Sequence, residues 1–110
     1  MKRGDVVIVA DPSAGDFAGK PRPAVIIQNS AFAADHPSVT ICIITGHLTG
    51  LSLFRLPVPA DSETGLRKDS EVCIDKVQTV WAHRVGKHVG RLSDKQMFAV
   101  DQALRSWLAL

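Results

Sequence analysis

The segment Lys20-Pro21-Arg22-Pro23 holds a guanidinium on a stiff backbone. A residue before proline is pushed into the extended region, and each proline ring fixes its own φ. Arg22 is therefore expected at the mouth of a strand, where its planar fork of N–H donors suits phosphate oxygens. A solvent-facing arginine at a strand start satisfies the same four residues. Thr45 ends the run Ile41-Cys42-Ile43-Ile44, and Gly46 after it lets the backbone turn sharply. If the strand runs on to His47, Thr45 and His47 point to one face. A hydroxyl donor beside an imidazole serves phosphoryl chemistry, although a strand-end threonine and a loop histidine fit the spacing as well. Asp75 follows Val72-Cys73-Ile74 and is either a proton-transfer carboxylate or a turn residue.

Other chemistries lack their residues. There is no GxxxxGK[ST] loop and no strand-anchored GxGxxG to cradle a nucleotide, no HExxH or paired CxxC for zinc, and no GxSxG elbow. Asp61-Ser62-Glu63 is the acid pair best spaced for magnesium, but it lies in a charged connection that reads as solvated loop. Cys42 and Cys73 sit inside apolar runs and read as buried reduced thiols. No metal site and no cofactor are expected. Thirteen basic residues against eleven acidic ones leave a net charge of +2, which permits nucleic-acid binding only if the basic residues share a face. The basic segment 83–91 reads as a solvated loop that could also track a phosphate backbone. Aromatic residues are 5% of the chain, with no tyrosine, so a base-stacking platform is poorly supplied. Phe17 and Trp81 are the aromatics nominated to meet bases.

These groups need elements to hold them. The chain has 110 residues, 45% apolar and 22% charged, which suits one domain over 1–110 with a single core. No apolar run approaches the ~20 residues of a membrane span. The N-terminus lacks the apolar stretch and cleavage site of a signal peptide, so a cytoplasmic protein is expected. Strands are expected at 5–10, 24–28, 39–45 and 53–58, the last with Phe54, Leu56 and Val58 on one face and Arg55 on the other. Residues 71–75 and 77–81 are two short strands, or one with an irregularity at Lys76. Residues 30–37 have room for a short helical turn. Ser93 and Gln96 form a capping box that opens a C-terminal helix. Met97, Val100, Leu104, Trp107 and Leu108 recur on it at helical spacing and are expected in the core. The fold is thus mainly β: a small antiparallel sheet, closed or strongly curled, with one long C-terminal helix.

In order along the chain, the residues resemble the PemK/MazF family, toxins of type II toxin–antitoxin systems. Arg3-Gly4-Asp5-Val6-Val7 is similar to the family's opening RGDI/V strand, and Asp11-Pro12-Ser13-Ala14-Gly15 to its DP-(T/S)-x-G turn. Arg22-Pro23-Ala24-Val25-Ile26-Ile27-Gln28-Asn29 resembles its RPxLVIxN stretch, and Ile43-Ile44-Thr45 its PIT segment. Gly65-Leu66-Arg67-Lys68-Asp69-Ser70 resembles G-L-x-K-D-S, and Ile74-Asp75-Lys76-Val77-Gln78-Thr79-Val80 resembles V-D-Q-I-R-T-I. Gly90-Arg91-Leu92-Ser93 and Val100-Asp101-Gln102-Ala103-Leu104 are similar to the G-x-L-x and V-D-x-A-L tail.

The resemblance implies an SH3-like barrel of the CcdB/MazF type, a two-fold homodimer and a small cognate antitoxin. It also implies metal-independent cleavage of single-stranded RNA, mRNA included, leaving a 2′,3′-cyclic phosphate and a 5′-hydroxyl. Arg22 and Thr45 match the family's recurring active-site pair. His47 or Asp75 would transfer the proton, His47 ranking first because imidazole exchanges protons near neutrality. Asp16, Phe17, Lys20 and Gln78 are the expected substrate contacts. The chain departs from the pattern in three places. Cys73 stands where some members carry arginine, Gln78 replaces the arginine of V-D-Q-I-R-T-I, and Asp16-Phe17 replace a histidine or glutamate. Those losses leave room for a decayed toxin that only binds antitoxin or RNA. A CcdB-like gyrase poison is the other alternative, but the tail Trp107-Leu108-Ala109-Leu110 lacks that family's Trp-Gly-Ile ending.

Overall fold

The computed structural model describes residues 1–11, 20–50 and 53–110. Among the described residues there are six strands: β1 (Asp5–Asp11), β2 (Lys20–Ile26), β3 (Ser38–Thr45), β4 (Arg55–Val58), β5 (Ser70–Trp81) and β6 (Val85–Arg91). A short helix, α1 (Ser30–Ala33), follows β2, and α2 (Asp94–Leu108) closes the described chain. The strands form one antiparallel sheet in the order β4-β5-β3-β2-β1-β6. The sheet is open, with β4 and β6 as its edges.

Alternation of side chains sorts the apolar residues onto two faces. Val6, Val25, Cys42, Ile44, Val72 and Ile74 pack on the helix face with Met97, Val100 and Leu104 of α2. Val7, Val9, Ala24, Ile26, Ile41, Ile43 and Val80 form a second core on the far face. Among the described residues no helix packs in that core, yet Ala24, Ile26 and Ile41 are fully buried. The sheet must therefore curl over its own far side, as the strand-rich sequence suggests.

Several boundaries differ from the sequence reading. β2 starts at Lys20, because Pro21 and Pro23 pair only with β1 and β3 joins from Ala24 onward. A proline is tolerated where one side of a strand has no partner. The basic segment 83–91, expected as loop, is a single 3-10 turn (Ala82–Arg84) followed by strand β6. Its glycines and cations hid the strand, which lies at an edge and pairs with β1 through two irregularities. Residues 70–81 form one strand, and its irregularity is large: Cys42 to Ile44 on β3 spans Val77 to Val72 on β5.

α2 opens on the expected capping box, with Ser93 Oγ accepting from the Gln96 amide at 3.1 Å. The buried stripe is Met97, Val100, Ala103 and Leu104. Trp107 and Leu108 are 46% and 49% exposed, contrary to their expected place in the core. The last turn meets Phe54 beside the β4 edge, where the Trp107 ring sits edge-on at 5.0 Å.

Candidate active site

Arg22 and Thr45 both belong to the far face. Arg22 pairs with Val9 of the far-face core. The β2–β3 ladder ends at Ala24↔Ile43, and Arg22 and Thr45 each lie two residues beyond that pair on the two adjoining strands. Neighbouring strands are ~4.8 Å apart, so a guanidinium and a hydroxyl from these positions reach one small ligand. Both residues are half-buried at the end of the packed core. The row continues across the sheet, because Thr45 pairs with Glu71 and Glu71 with Pro57.

β3 stops at Thr45, so the condition that would align His47 with Thr45 on one strand face is not met. The chain bends at Gly46 instead, and the His47 backbone amide donates to Thr45 Oγ1 at 3.1 Å. That bond fixes the threonine side chain and leaves its own proton to be donated outward. The His47 side chain is exposed beside it.

Glu71 is only 4% exposed. Its carboxylate accepts from the Thr49 amide at 3.1 and 3.2 Å, the Thr49 hydroxyl at 2.8 Å and the Gly50 amide at 3.1 Å. Burial alone would raise its pKa, but these bonds outweigh it and hold the group below the usual carboxylate range. Glu71 thus ties the turn after Thr45 back to β5.

Asp75 is held by Arg55. The guanidinium donates twice, Nε to Oδ1 at 2.8 Å and a terminal nitrogen to Oδ2 at 3.1 Å. Those bonds keep the Asp75 carboxyl below its ordinary range and push Arg55 up. Arg55 pairs across the ladder with Cys73, where the sequence lacks an arginine. A guanidinium therefore occupies this neighbourhood, supplied by the adjoining strand. Cys42 and Cys73 are buried and free; burial, with each near the other, pushes the Cys42 thiol up to about 12.

Lys20 lies two residues from Arg22, on the same face and exposed. Gln78 shares the face but pairs with Ile41, four residues along β3 from Thr45, roughly 13 Å away. Trp81 is 59% exposed and, by alternation with Val80, stands on the opposite face. Asp16 and Phe17 lie outside the described residues. Among the described residues, no three His, Cys, Asp or Glu side chains gather as a metal site. No helix among them is long and apolar enough to cross a membrane.

The sequence reading missed Glu71, Arg55 and Lys68. Glu71 stands at the head of the apolar run Val72-Cys73-Ile74, directly after a charged stretch, and so looks like part of the solvated connection. Alternation puts Arg55 off the apolar face of β4, but its partner Asp75 lies twenty residues away in sequence. Lys68 lies over Gly46, where a Cβ would overlap its Cε.

The described residues thus form a curled antiparallel sheet with one C-terminal helix, and carry an arginine and a threonine on neighbouring strands of its far face. Residues 2–108 match the PemK-like, MazF-like toxins of type II toxin–antitoxin systems, and the chain belongs to that family. It is 38% identical over 110 residues to a probable endoribonuclease MazF of Mycolicibacterium smegmatis, covering 100% of this chain and 98% of the relative. Mycobacterium tuberculosis toxin MazF-mt6 has a similar structure, with a TM-score of 0.81 at 26% identity, over 96% of this chain and 97% of that one. An endoribonuclease from a mycobacterial species, solved in complex with its cognate antitoxin, gives a TM-score of 0.75 at 20% identity, over 100% and 94%.

Proposed function

We propose that this chain is a sequence-selective, metal-independent endoribonuclease toxin, held in check by a small cognate antitoxin. The observation that carries the reading is the shared position of Arg22 and Thr45 on adjacent strands. The family match and the endoribonuclease names of its relatives support it. We take the working form to be a cytoplasmic homodimer acting on single-stranded RNA such as mRNA.

In the proposed reaction the 2′-oxygen of one ribose attacks its own 3′-phosphate. The 2′-O–P bond forms, the P–O5′ bond breaks, and a cyclic phosphate and a 5′-hydroxyl result. Negative charge builds on the phosphorane oxygens. Arg22 and the outward hydroxyl of Thr45 are preplaced to stabilise that charge more than the ground state. His47, exposed at the turn, takes the 2′ proton, and a proton returns to the leaving 5′-oxygen. Asp75 acts through Arg55, since an ionised carboxyl with both oxygens engaged is a poor proton donor. Lys20 extends the cationic face for the incoming strand.

Incubation of the purified protein with mixed-sequence RNA in EDTA tests the reading. Discrete cuts with 2′,3′-cyclic phosphate ends are expected. Arg22→Ala is expected to lose about 10²–10³ in rate while keeping its fold, the usual loss for one such donor. Uncut RNA with folded wild-type protein overturns the reading.

A further inference from the structure

Behind the Thr45–Gly46 turn, on the helix face, lies a cleft of about 620 Å³ that nothing above uses. This is the size of a pocket for one small ligand or nucleotide. Pro21, Pro23 and Leu66 give it an apolar floor, and Arg67, Lys68, Lys87 and His88 surround it with basic groups. None of the described lining residues is acidic; Asp69, between Lys68 and Ser70, turns its carboxylate to the Ala60 amide, and Asp5 lies 3.6 Å from the His88 ring.

The walls are built rather than incidental. Asp61 Oδ1 accepts from the Glu63 and Thr64 amides, and the Thr64 hydroxyl donates to the Pro59 carbonyl, so the connection is folded on itself. Its Glu63 carbonyl accepts from the Arg91 amide at 2.8 Å, and Gly65 and Gly90 let it press against β6. The Ser70 hydroxyl donates to the Lys68 carbonyl at 2.8 Å, fixing the backbone that carries the cation. Lys68 then reaches across Gly46, the residue after Thr45, and so bridges the cleft and the far face.

We propose that this cleft is a second RNA subsite, which takes a nucleotide flanking the scissile bond after the strand has passed over the Gly46 rim. Lys68 and Lys87 hold its phosphate, and the apolar floor accepts its base. This rests on the nuclease reading for the strand's path. Phosphate contacts of this kind add affinity without sequence information.

The test uses a labelled mixed-sequence 2′-O-methyl RNA 15-mer, which binds but cannot be cut, and follows its affinity against salt. Each lost phosphate contact to a single strand lowers the salt slope by ~0.7, so Lys68→Gln/Lys87→Gln should lose about 1.4 in slope. Affinity at low salt should fall about tenfold, with KM for cleavable RNA rising and kcat kept. Lys68→Arg/Lys87→Arg should bind like wild type, and Lys95→Gln on α2 should change nothing. An unchanged slope in a folded double Gln variant overturns the proposal. So does loss of binding to a labelled polyglutamate peptide without change for RNA, which would make the cleft a protein site. Wild type that binds the 15-mer but cuts no RNA would sink the nuclease reading alone.

Discussion

Glu71 faces Thr45 across the β3–β5 ladder, and its carboxylate binds Thr49 and Gly50 in the turn that follows Thr45. One buried acid therefore fixes both the strand that carries the hydroxyl and the turn that aims it. In Glu71→Gln one acceptor oxygen becomes an NH₂ that must face either the Thr49 donors or the Gly50 amide. The turn loosens and the His47 amide loses its hold on Thr45. Small misplacements of reacting groups cost about 10- to 100-fold in rate. Steady-state kinetics on RNA should show kcat falling by about that much, with KM nearly constant. Wild-type kcat in Glu71→Gln would remove the positioning role.

Two native carboxylates, Glu71 and Asp75, are held below their ordinary range. The unfolded chain binds protons on them first as the pH falls, so stability rises with pH in the acid limb. Their contribution is fully present above about pH 4, the ordinary carboxylate range, and is lost below it as the folded-state groups protonate. Urea unfolding between pH 2 and pH 7 should therefore have a shallower acid limb in Asp75→Asn. An identical limb in the variant would mean that the Arg55 pair is not linked to folding. At neutral pH the same variant should cost about 1–2 kcal/mol, because Asp75 is partly exposed and its Arg55 bonds are screened.

His47 and Asp75 compete for the proton-transfer role, and their surroundings separate them. Asp75 already accepts two bonds from Arg55, whereas the His47 side chain is exposed beside Thr45. His47→Ala should cost about 10²–10⁴ in kcat. Asp75→Asn should cost far less. The reverse order in steady-state kinetics on RNA would transfer the role to Asp75.

Arg22 and Thr45 were legible for local reasons: prolines bracket one, and an apolar strand ends at the other. That both sit two residues beyond one cross-strand pair was not. It depends on the β2–β3 register, which long-range pairing sets. The same holds for Arg55 and Asp75, twenty residues apart in sequence, and for Glu71 with Thr49. Helical spacing revealed the stripe of α2 but not how far the sheet extends beneath it, so Trp107 was misplaced. β6 escaped because an edge strand needs little apolar content, and its cations and glycines look like loop.

Gly65 should be among the least replaceable positions. Its φ is +69°, in the left-handed region, and a Cβ there would overlap the Val89 carbonyl of β6. Alanine in that conformation costs about 1–2 kcal/mol from the backbone alone. The overlap is with backbone rather than a flexible side chain, so the connection must also lift from β6. A total of at least about 2 kcal/mol follows, a fall in Tm on the order of 10 °C for a domain of this size. Lifting the connection also moves Lys68 away from Gly46, so Gly65→Ala should weaken RNA binding even where it remains folded. Gly50→Ala is the control. It shares a positive φ of 73°, but among the described residues no atom beyond its chain neighbours lies within 4 Å of the added Cβ, so calorimetry should record the smaller loss there. Equal losses at the two sites would show that backbone conformation, and not the packing of the connection on β6, decides the cost.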